Sequence, residues 1–260
     1  MIQRKEAMKI LRDSWLVFER YLGITVHNPA WVVIGLVQPL LYLTLFAPLL
    51  KSVARAPGFP AGDAFNVFVP GLVVQLGLFG AAFVGFSLIS ELRLGVVERL
   101  RVTPVSRLAL LLGRALRDVV NLLVGSVLLI LLSIPFGLVV HPVGLLIVLG
   151  LQALIGTLFA SLSYALALWL KSEDSFAPLL TTATLPLVLL SGVLLPLTLA
   201  PDWLRAIAAA NPLAYAVDAS RAVFNDHLSD PSVVKGVAIM TVLAVTSVVT
   251  AARTFSRAVA

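Results

Sequence analysis

Between residues 91 and 107 the chain sets Glu91, Arg93, Glu98, Arg99, Arg101 and Arg107 among Leu, Val and Gly, with Thr103-Pro104 near the end. Charges of both signs on a short stiff element break and form no covalent bonds by themselves. They make charge-assisted hydrogen bonds, the kind that fixes a knob on one protein into a groove on another. Glu91 to Arg101 reads as a short amphipathic helix stopped at Thr103-Pro104, and Ser106 can cap a next helix that begins at Arg107. The same residues also fit an ordinary solvated loop whose arginines only mark one side of a membrane.

Reactive chemistry is spelled nowhere else. No Gly-x-x-x-x-Gly-Lys-Ser/Thr is present to cradle nucleotide phosphates. His27, His141 and His227 stand apart from one another and from acidic clusters at ligand spacing, so no metal site is expected. No Gly-x-Ser-x-Gly elbow accompanies a triad, and cysteine is absent. The chain is therefore expected to be no enzyme and to bind no cofactor of its own.

The elements that must position the charged segment are apolar. Of 260 residues 60% are hydrophobic and only 12% charged, with a mean hydropathy of +1.03; soluble domains carry about 25% charged residues. Six apolar runs, at about 30–50, 64–90, 118–140, 143–170, 175–199 and 232–252, are long enough at about 1.5 Å per residue to cross a hydrocarbon core of about 30 Å. Helices satisfy their backbone groups internally, so the expected fold is all-α, a polytopic bundle of six transmembrane helices. The span centres hold neutral polar groups (Gln38, Gln75, Asn121, Gln152) and no Asp or Glu. Proton- or ion-coupled carriers need such carboxylates as relays, so uphill movement would draw its energy from a partner.

Placing both termini in the cytoplasm leaves Lys51, Arg55, Arg205, Arg221 and Lys235, out of 19 Lys and Arg, on the outside, as the positive-inside rule prefers. The net charge of +6 then faces anionic lipid, and no nucleic-acid partner is expected. Residues 1–28 form an expected amphipathic interfacial helix, with Leu11, Trp15, Phe18 and Leu22 on one stripe and Lys5, Lys9, Arg12 and Arg20 on other faces. His27-Asn28-Pro29 breaks it before the six-span region at 29–260. A purely topology-setting basic N-terminus is the alternative.

Between the fifth and sixth spans, Trp203 to Ile207 and Leu213 to Phe224 are helix-like yet each too short to cross, with Asn211-Pro212 as the turn. They suit a re-entrant hairpin on the outer side, in which Asp218 and Arg221, three apart, can pair; Trp203 and Tyr215 also fit an interfacial surface helix. Gly77, Ala81 and Gly85, with Gly156 and Ala160, allow close helix approach, within the chain more readily than across a dimer.

Two motifs carry a resemblance. Glu91-x-x-x-Gly95-x-x-Glu98-Arg99-Leu100-x-x-Thr103-Pro104-x-Ser106-Arg107 resembles the signature of type 2 ATP-binding-cassette (ABC) exporter permeases. Ser191-Gly192-x-x-x-Pro196, Pro201-x-Trp203-Leu204 and Asn211-Pro212-Leu213-x-Tyr215-x-x-Asp218-x-x-Arg221 are similar to the second signature of the same family. The resemblance covers essentially the whole chain. It implies that 91–107 is a cytoplasmic coupling helix touching a cytoplasmic ABC ATPase, which would hold ATP and Mg in two copies per complex. It implies a second permease chain, identical in the simplest case, with the first and fifth spans facing each other across a two-fold axis. Gln38, Tyr42, Phe46, Thr181 and Ser191 would then line the substrate path. Among family members the chain looks most like daunorubicin-resistance drug-efflux permeases of the prokaryotic cytoplasmic membrane. That likeness implies export of a hydrophobic or amphipathic drug-like compound. The nodulation lipo-oligosaccharide exporters share the motifs, so a lipid-linked oligosaccharide or other glycolipid is the alternative cargo.

Overall fold

The computed structural model describes residues 2–27, 30–53, 64–95 and 107–258, all of it helix and connecting turns, with no strand among the described residues. Chain order gives α1 (Ile2–His27), α2 (Ala30–Val53), α3 (Ala64–Ala82), α4 (Gly85–Arg93), α5 (Arg107–Ser133), α6 (Pro142–Leu170), α7 (Glu173–Leu189), α8 (Asp202–Ala208), α9 (Pro212–Phe224) and α10 (Pro231–Ala258). Among the described residues four stretches are long and apolar enough to cross a membrane: Ala64–Arg93, Leu112–Phe136, Pro142–Leu170 and Pro231–Thr254. A fifth arises if α1 and α2, bent by 64° at their junction, are counted together.

Two expected spans are corrected. The third begins well before residue 118, because α5 is already helical from Arg107 and its apolar window opens at Leu112. The fifth does not run to 199. α7 stops at Leu189 and gives way to a turn at Gly192, whose φ of 74° suits a residue without Cβ. Asn28 and Pro29, the expected break between the N-terminal helix and the first span, lie outside the described residues.

α3 is the central post: every residue from Ala64 to Leu78 is buried, against α2, α5, α6 and α9. It is continued by α4 after a break at Phe83–Val84, which has a visible cause. Ser163 of α6 inserts its hydroxyl into the helix ladder, donating to the Ala82 carbonyl while accepting from the Gly85 amide at 2.9 Å. A side chain entering the ladder is an ordinary origin of a helix irregularity. A Cβ on Gly85 would stand 2.4 Å from the Phe176 ring and 2.8 Å from Ser163, so this crossing excludes any larger residue.

The small-residue stripes serve these same intrachain crossings. A Cβ on Gly77 would meet the Gln152 amide of α6 at 2.7 Å, and one on Gly156 would meet Leu122 of α5 at 2.7 Å. α10 lies along α6 and α9, while α1 lies along α5. α1 buries Asp13, Ser14, Val17, Phe18 and Tyr21 and leaves Met8, Leu11, Trp15 and Leu16 exposed. The expected apolar stripe is therefore split: Phe18 enters the protein and Leu11 and Trp15 face away from it.

Candidate functional site

Two polar assemblies interrupt an otherwise apolar bundle. The first sits where α4 ends, just before the charged segment. The Glu91 carboxylate accepts from the Tyr21 hydroxyl of α1 at 3.0 Å and from the Arg114 guanidinium of α5. Arg114 also donates to Ser87 Oγ at 3.3 Å, and its guanidinium carbon lies 5.1 Å and 5.5 Å from the Tyr21 and Tyr164 ring centres. One turn further along α5, Arg117 meets Asp118 at 3.1 Å, and Asp118 accepts from the Tyr164 hydroxyl of α6. Four helices are thus tied at one level by groups of which Tyr21, Arg114, Asp118 and Tyr164 are buried and Ser87, Glu91 and Arg117 half-buried. Losing one partner of such a desolvated ion pair costs about 3–5 kcal/mol, because the remaining charge is left stranded.

This placement corrects the reading of the charged segment. Glu91 does not open a separate helix. Glu91 to Arg93 are the last turn of α4, which ends at Leu94 and Gly95, the latter with φ of 65°. Glu91 is turned inward and committed to Tyr21 and Arg114, while Arg93 is exposed and pairs at 3.5 Å with Glu173 in the first turn of α7. Arg107 opens α5 as expected. Glu98, Arg99, Arg101, Thr103 and Pro104 lie outside the described residues.

The second assembly anchors the segment between α7 and α10. Asn211 caps α9, its Oδ1 accepting from the Leu213 amide at 3.0 Å, with Pro212 at the first helical position. Its Nδ2 donates to the Leu187 carbonyl of α7 at 2.7 Å. The Tyr215 hydroxyl donates to the Ala209 carbonyl at 2.7 Å, and the Lys235 ammonium lies 4.4 Å from the Tyr215 ring centre. Trp203 is exposed on α8.

Arg221 departs from the expected pairing. No ion pair joins it to Asp218 within 4.0 Å; its side chain turns inward, Nε donating to the Val67 carbonyl of α3 at 2.8 Å and Nη2 to the Gly192 carbonyl at 2.6 Å. Pro70 has no amide hydrogen, so the carbonyl four residues earlier, on Asn66, loses its helix partner. Asn225, the residue after α9, donates to that Asn66 carbonyl at 3.5 Å, and Arg221 takes the adjacent Val67 carbonyl. The Asn66 side chain completes the junction, donating to Phe224 O at 3.1 Å and accepting from the Val139 amide at 3.1 Å.

Of the residues expected on the substrate path, Gln38, Tyr42 and Phe46 do form one stripe of α2. Gln38 donates to the Tyr42 hydroxyl at 3.2 Å, and Phe46 packs edge-on to Tyr42 and stacks on Phe68. Thr181 is exposed on α7. Ser191 is fully buried, donating to the Val188 carbonyl at 2.7 Å and accepting from the Val193 amide at 3.3 Å, so it closes the end of α7 and lines no path.

Tyr21, Arg114, Asp118, Tyr164, Asn66 and Asn225 were not singled out from the sequence as site residues. The available signal was an Arg, an Arg and an Asp within five positions of an apolar run, and an Asn four residues before a Pro.

No group of three or more His, Cys, Asp or Glu positioned to hold a metal occurs among the described residues. The arrangement fixes helices to one another.

Comparison with known proteins agrees with that character. Residues 13–225 match the ABC-2 type transporter family. A protein of Pyropia yezoensis named as a transport permease, ycf38, is 30% identical over 202 residues, which is 76% of this chain and 69% of the relative. The ycf38 protein of Porphyra purpurea is 28% identical over 221 residues, 84% of this chain and 76% of its own length. The daunorubicin resistance ABC transporter permease protein DrrB1 of Streptomyces coeruleorubidus is 26% identical over 203 residues, covering 75% of this chain and 69% of that protein.

Proposed function

The chain belongs to the ABC-2 type transporter family, and from that premise we propose that it is the permease subunit of an ATP-driven exporter that moves a hydrophobic or amphipathic drug-like compound outward across the cytoplasmic membrane. Two permease chains, identical in the simplest case, pair with two cytoplasmic ATPase subunits that hold ATP and Mg. The carrying observation is the absence of fixed charge on the outward stripe of α2, where Gln38, Tyr42 and Phe46 offer rings and neutral hydrogen-bonding groups. Such a surface suits a partly apolar solute and gives a small ion no counter-charge. The naming of DrrB1 for daunorubicin resistance supports the same cargo class.

In this reading the membrane is crossed six times with both termini inside, α2 and α7 being the first and fifth spans, and α8 and α9 form a hairpin entering from outside. The backbone of α9 is covered by α3, α6 and α10, the condition for non-spanning helix at membrane depth. Residues 93–107 face the ATPase, with Glu98, Arg99 and Arg101 making charge-assisted contacts. Truncating one member of such a contact costs roughly 2–5 kcal/mol, so docking weakens by about thirtyfold or more.

The test is Glu98→Lys in the complex co-purified from membranes and reconstituted in proteoliposomes. The variant is expected to insert and dimerise normally but to recover less ATPase, or to hydrolyse ATP without exporting. Normal recovery with normal export overturns the assignment. Stimulation of hydrolysis across a panel of apolar drugs and lipids then identifies the cargo.

A further inference from the structure

Glu91 holds one group from α1 and one from α5 at the same time, about a turn before the chain leaves α4 at Gly95. We propose that Glu91 is the pivot of a latch, closed by Tyr21 and Arg114, that makes the N-terminal helix move together with the segment following Gly95. Glu91 is then a positioning residue for transport, and α1 is a driven element of the cycle rather than a passive anchor. The proposal rests on the reading of 93–107 as the ATPase-facing segment.

The contact between α1 and α5 leaves no room for slack. A Cβ on Gly113 of α5 would stand 2.7 Å from the Ser14 carbonyl and 2.6 Å from Val17 Cγ1, so the two helices meet backbone against backbone. Val17, Tyr21 and Leu110 form an apolar cluster that would hold α1 in place without any charge. The buried ions above it are therefore not needed for adhesion. Apolar replacements of such groups commonly match or exceed their stability, and the best attested use of a buried polar set is to fix register. Here three helices are fixed at one carboxylate.

The far side of α1 is built to feel the result. Met8, Leu11, Trp15 and Leu16 are exposed apolar groups, with Lys9, Arg12 and Arg20 exposed beside them, the composition of a helix seated at the boundary of headgroups and acyl chains. A push received beyond Gly95 reaches Glu91 through the rigid end of α4. From there Tyr21 passes it to α1, and Arg114 passes it to α5. Arg117, Asp118 and Tyr164 carry α6 along.

Absence of native cysteine makes the test direct. Spin labels on Leu11→Cys and Leu94→Cys, both at exposed positions, report the separation of α1 from the end of α4. Labelled chains are diluted with unlabelled ones in nanodiscs of mixed zwitterionic and anionic lipid, so that distances within one chain are read. The latch predicts one narrow distribution, broadened about twofold or more by Tyr21→Phe, which removes a single hydroxyl, and likewise by Glu91→Gln. An unchanged width in both variants overturns the latch whether or not the ATPase reading holds.

In the complex with the co-purified ATPase, Tyr21→Phe is expected to keep ATP hydrolysis while transport per ATP falls by at least about fivefold, the low end of ordinary coupling between sites. A purely structural role would lower hydrolysis and transport in the same proportion as folded yield, and that outcome also overturns the proposal. Failure of any ATPase to co-purify would refute the reading of 93–107 and leave the nanodisc result to decide the latch.

Discussion

Replacing Arg221 by Met tests how the α9 segment is held. The guanidinium is buried and joins two separate segments, donating to Val67 of α3 at 2.8 Å and, in the turn after α7, to Gly192 at 2.6 Å and Val193 at 3.4 Å. Hydrogen bonds from a charged donor contribute about 1.5–3 kcal/mol each. Methionine fills similar space and removes the penalty of burying the cation, which offsets part of the loss. The net destabilisation expected is about 2–4 kcal/mol, measured against a total that is ordinarily about 5–15 kcal/mol. For a chain of this size that corresponds to a fall in melting temperature of about 5–15 °C. Arg221→Lys should fall in between, since one ammonium cannot span both segments with the reach of the guanidinium fork. Asp218→Ala should cost no more than about 1 kcal/mol, because Asp218 is exposed and makes no ion pair with Arg221 within 4.0 Å. Melting curves in mild detergent, read by tryptophan fluorescence, decide the matter. An Arg221→Met variant melting within about 2 °C of the parent, or an Asp218→Ala variant falling as far as Arg221→Met, would refute the anchoring role.

Gly71→Ala should destabilise by about 1–3 kcal/mol despite its roughly 1 kcal/mol gain in helix propensity, since the new Cβ would lie 2.2 Å from the backbone oxygen of Val193, which cannot rotate away. Gly23→Ala in α1, with nothing within 4 Å, should instead be neutral or mildly stabilising in the same melt. Topology reporters at Ala61, His141 and Ser229 should read external, and those at Thr103, Ser172 and Ala260 internal; an external signal at Thr103 would refute the six-span scheme. Asp230 caps α10, and hydrogen bonding from the Ser232 side chain and then from its amide at 2.8 Å holds its carboxyl below the usual carboxylate range. A depressed folded pKa means that its contribution is present above the unfolded value of about 3.9 and fades as pH falls below it. The melting advantage of the parent over Asp230→Ala should therefore be seen near pH 7 and shrink towards pH 3, and an advantage that does not change with pH would contradict that.

The helical class and the N-terminal helix were legible because apolar run length and helical spacing are local properties. Asn211 was legible as a turn because Asn-Pro acts on its own neighbours. What could not be read was pairing. Arg114 sits in a stretch whose charge, counted by position, only marks a side of the membrane, yet its partners Glu91, Tyr21 and Ser87 lie 23, 93 and 27 residues away. Asp218 and Arg221 illustrate the reverse error. Their spacing of three is correct for a helix surface, but the guanidinium turns to the buried Val67 and Gly192 carbonyls, while the Asp218 carboxylate stays exposed. Ser191 looked like a polar lining group for the same reason that it is a good cap: a small hydroxyl can serve either, and only the turn at Gly192 decides.

α7 is 17 residues long, about 25 Å at 1.5 Å per residue. A hydrocarbon core of about 30 Å exceeds that by several ångströms, and the turn that follows is pinned by Ser191, Gly192 and Arg221. If α7 crosses as the proposed fifth span, the lipid has to yield around it, thinning or drawing it to one side, at fractions of a kcal/mol for each ångström of mismatch. In that arrangement bilayer thickness would be a mechanical load on the end of the molecule that Arg221 clamps. Membranes of longer-chain lipid would pull on that clamp in every cycle, and thinner ones would leave it slack.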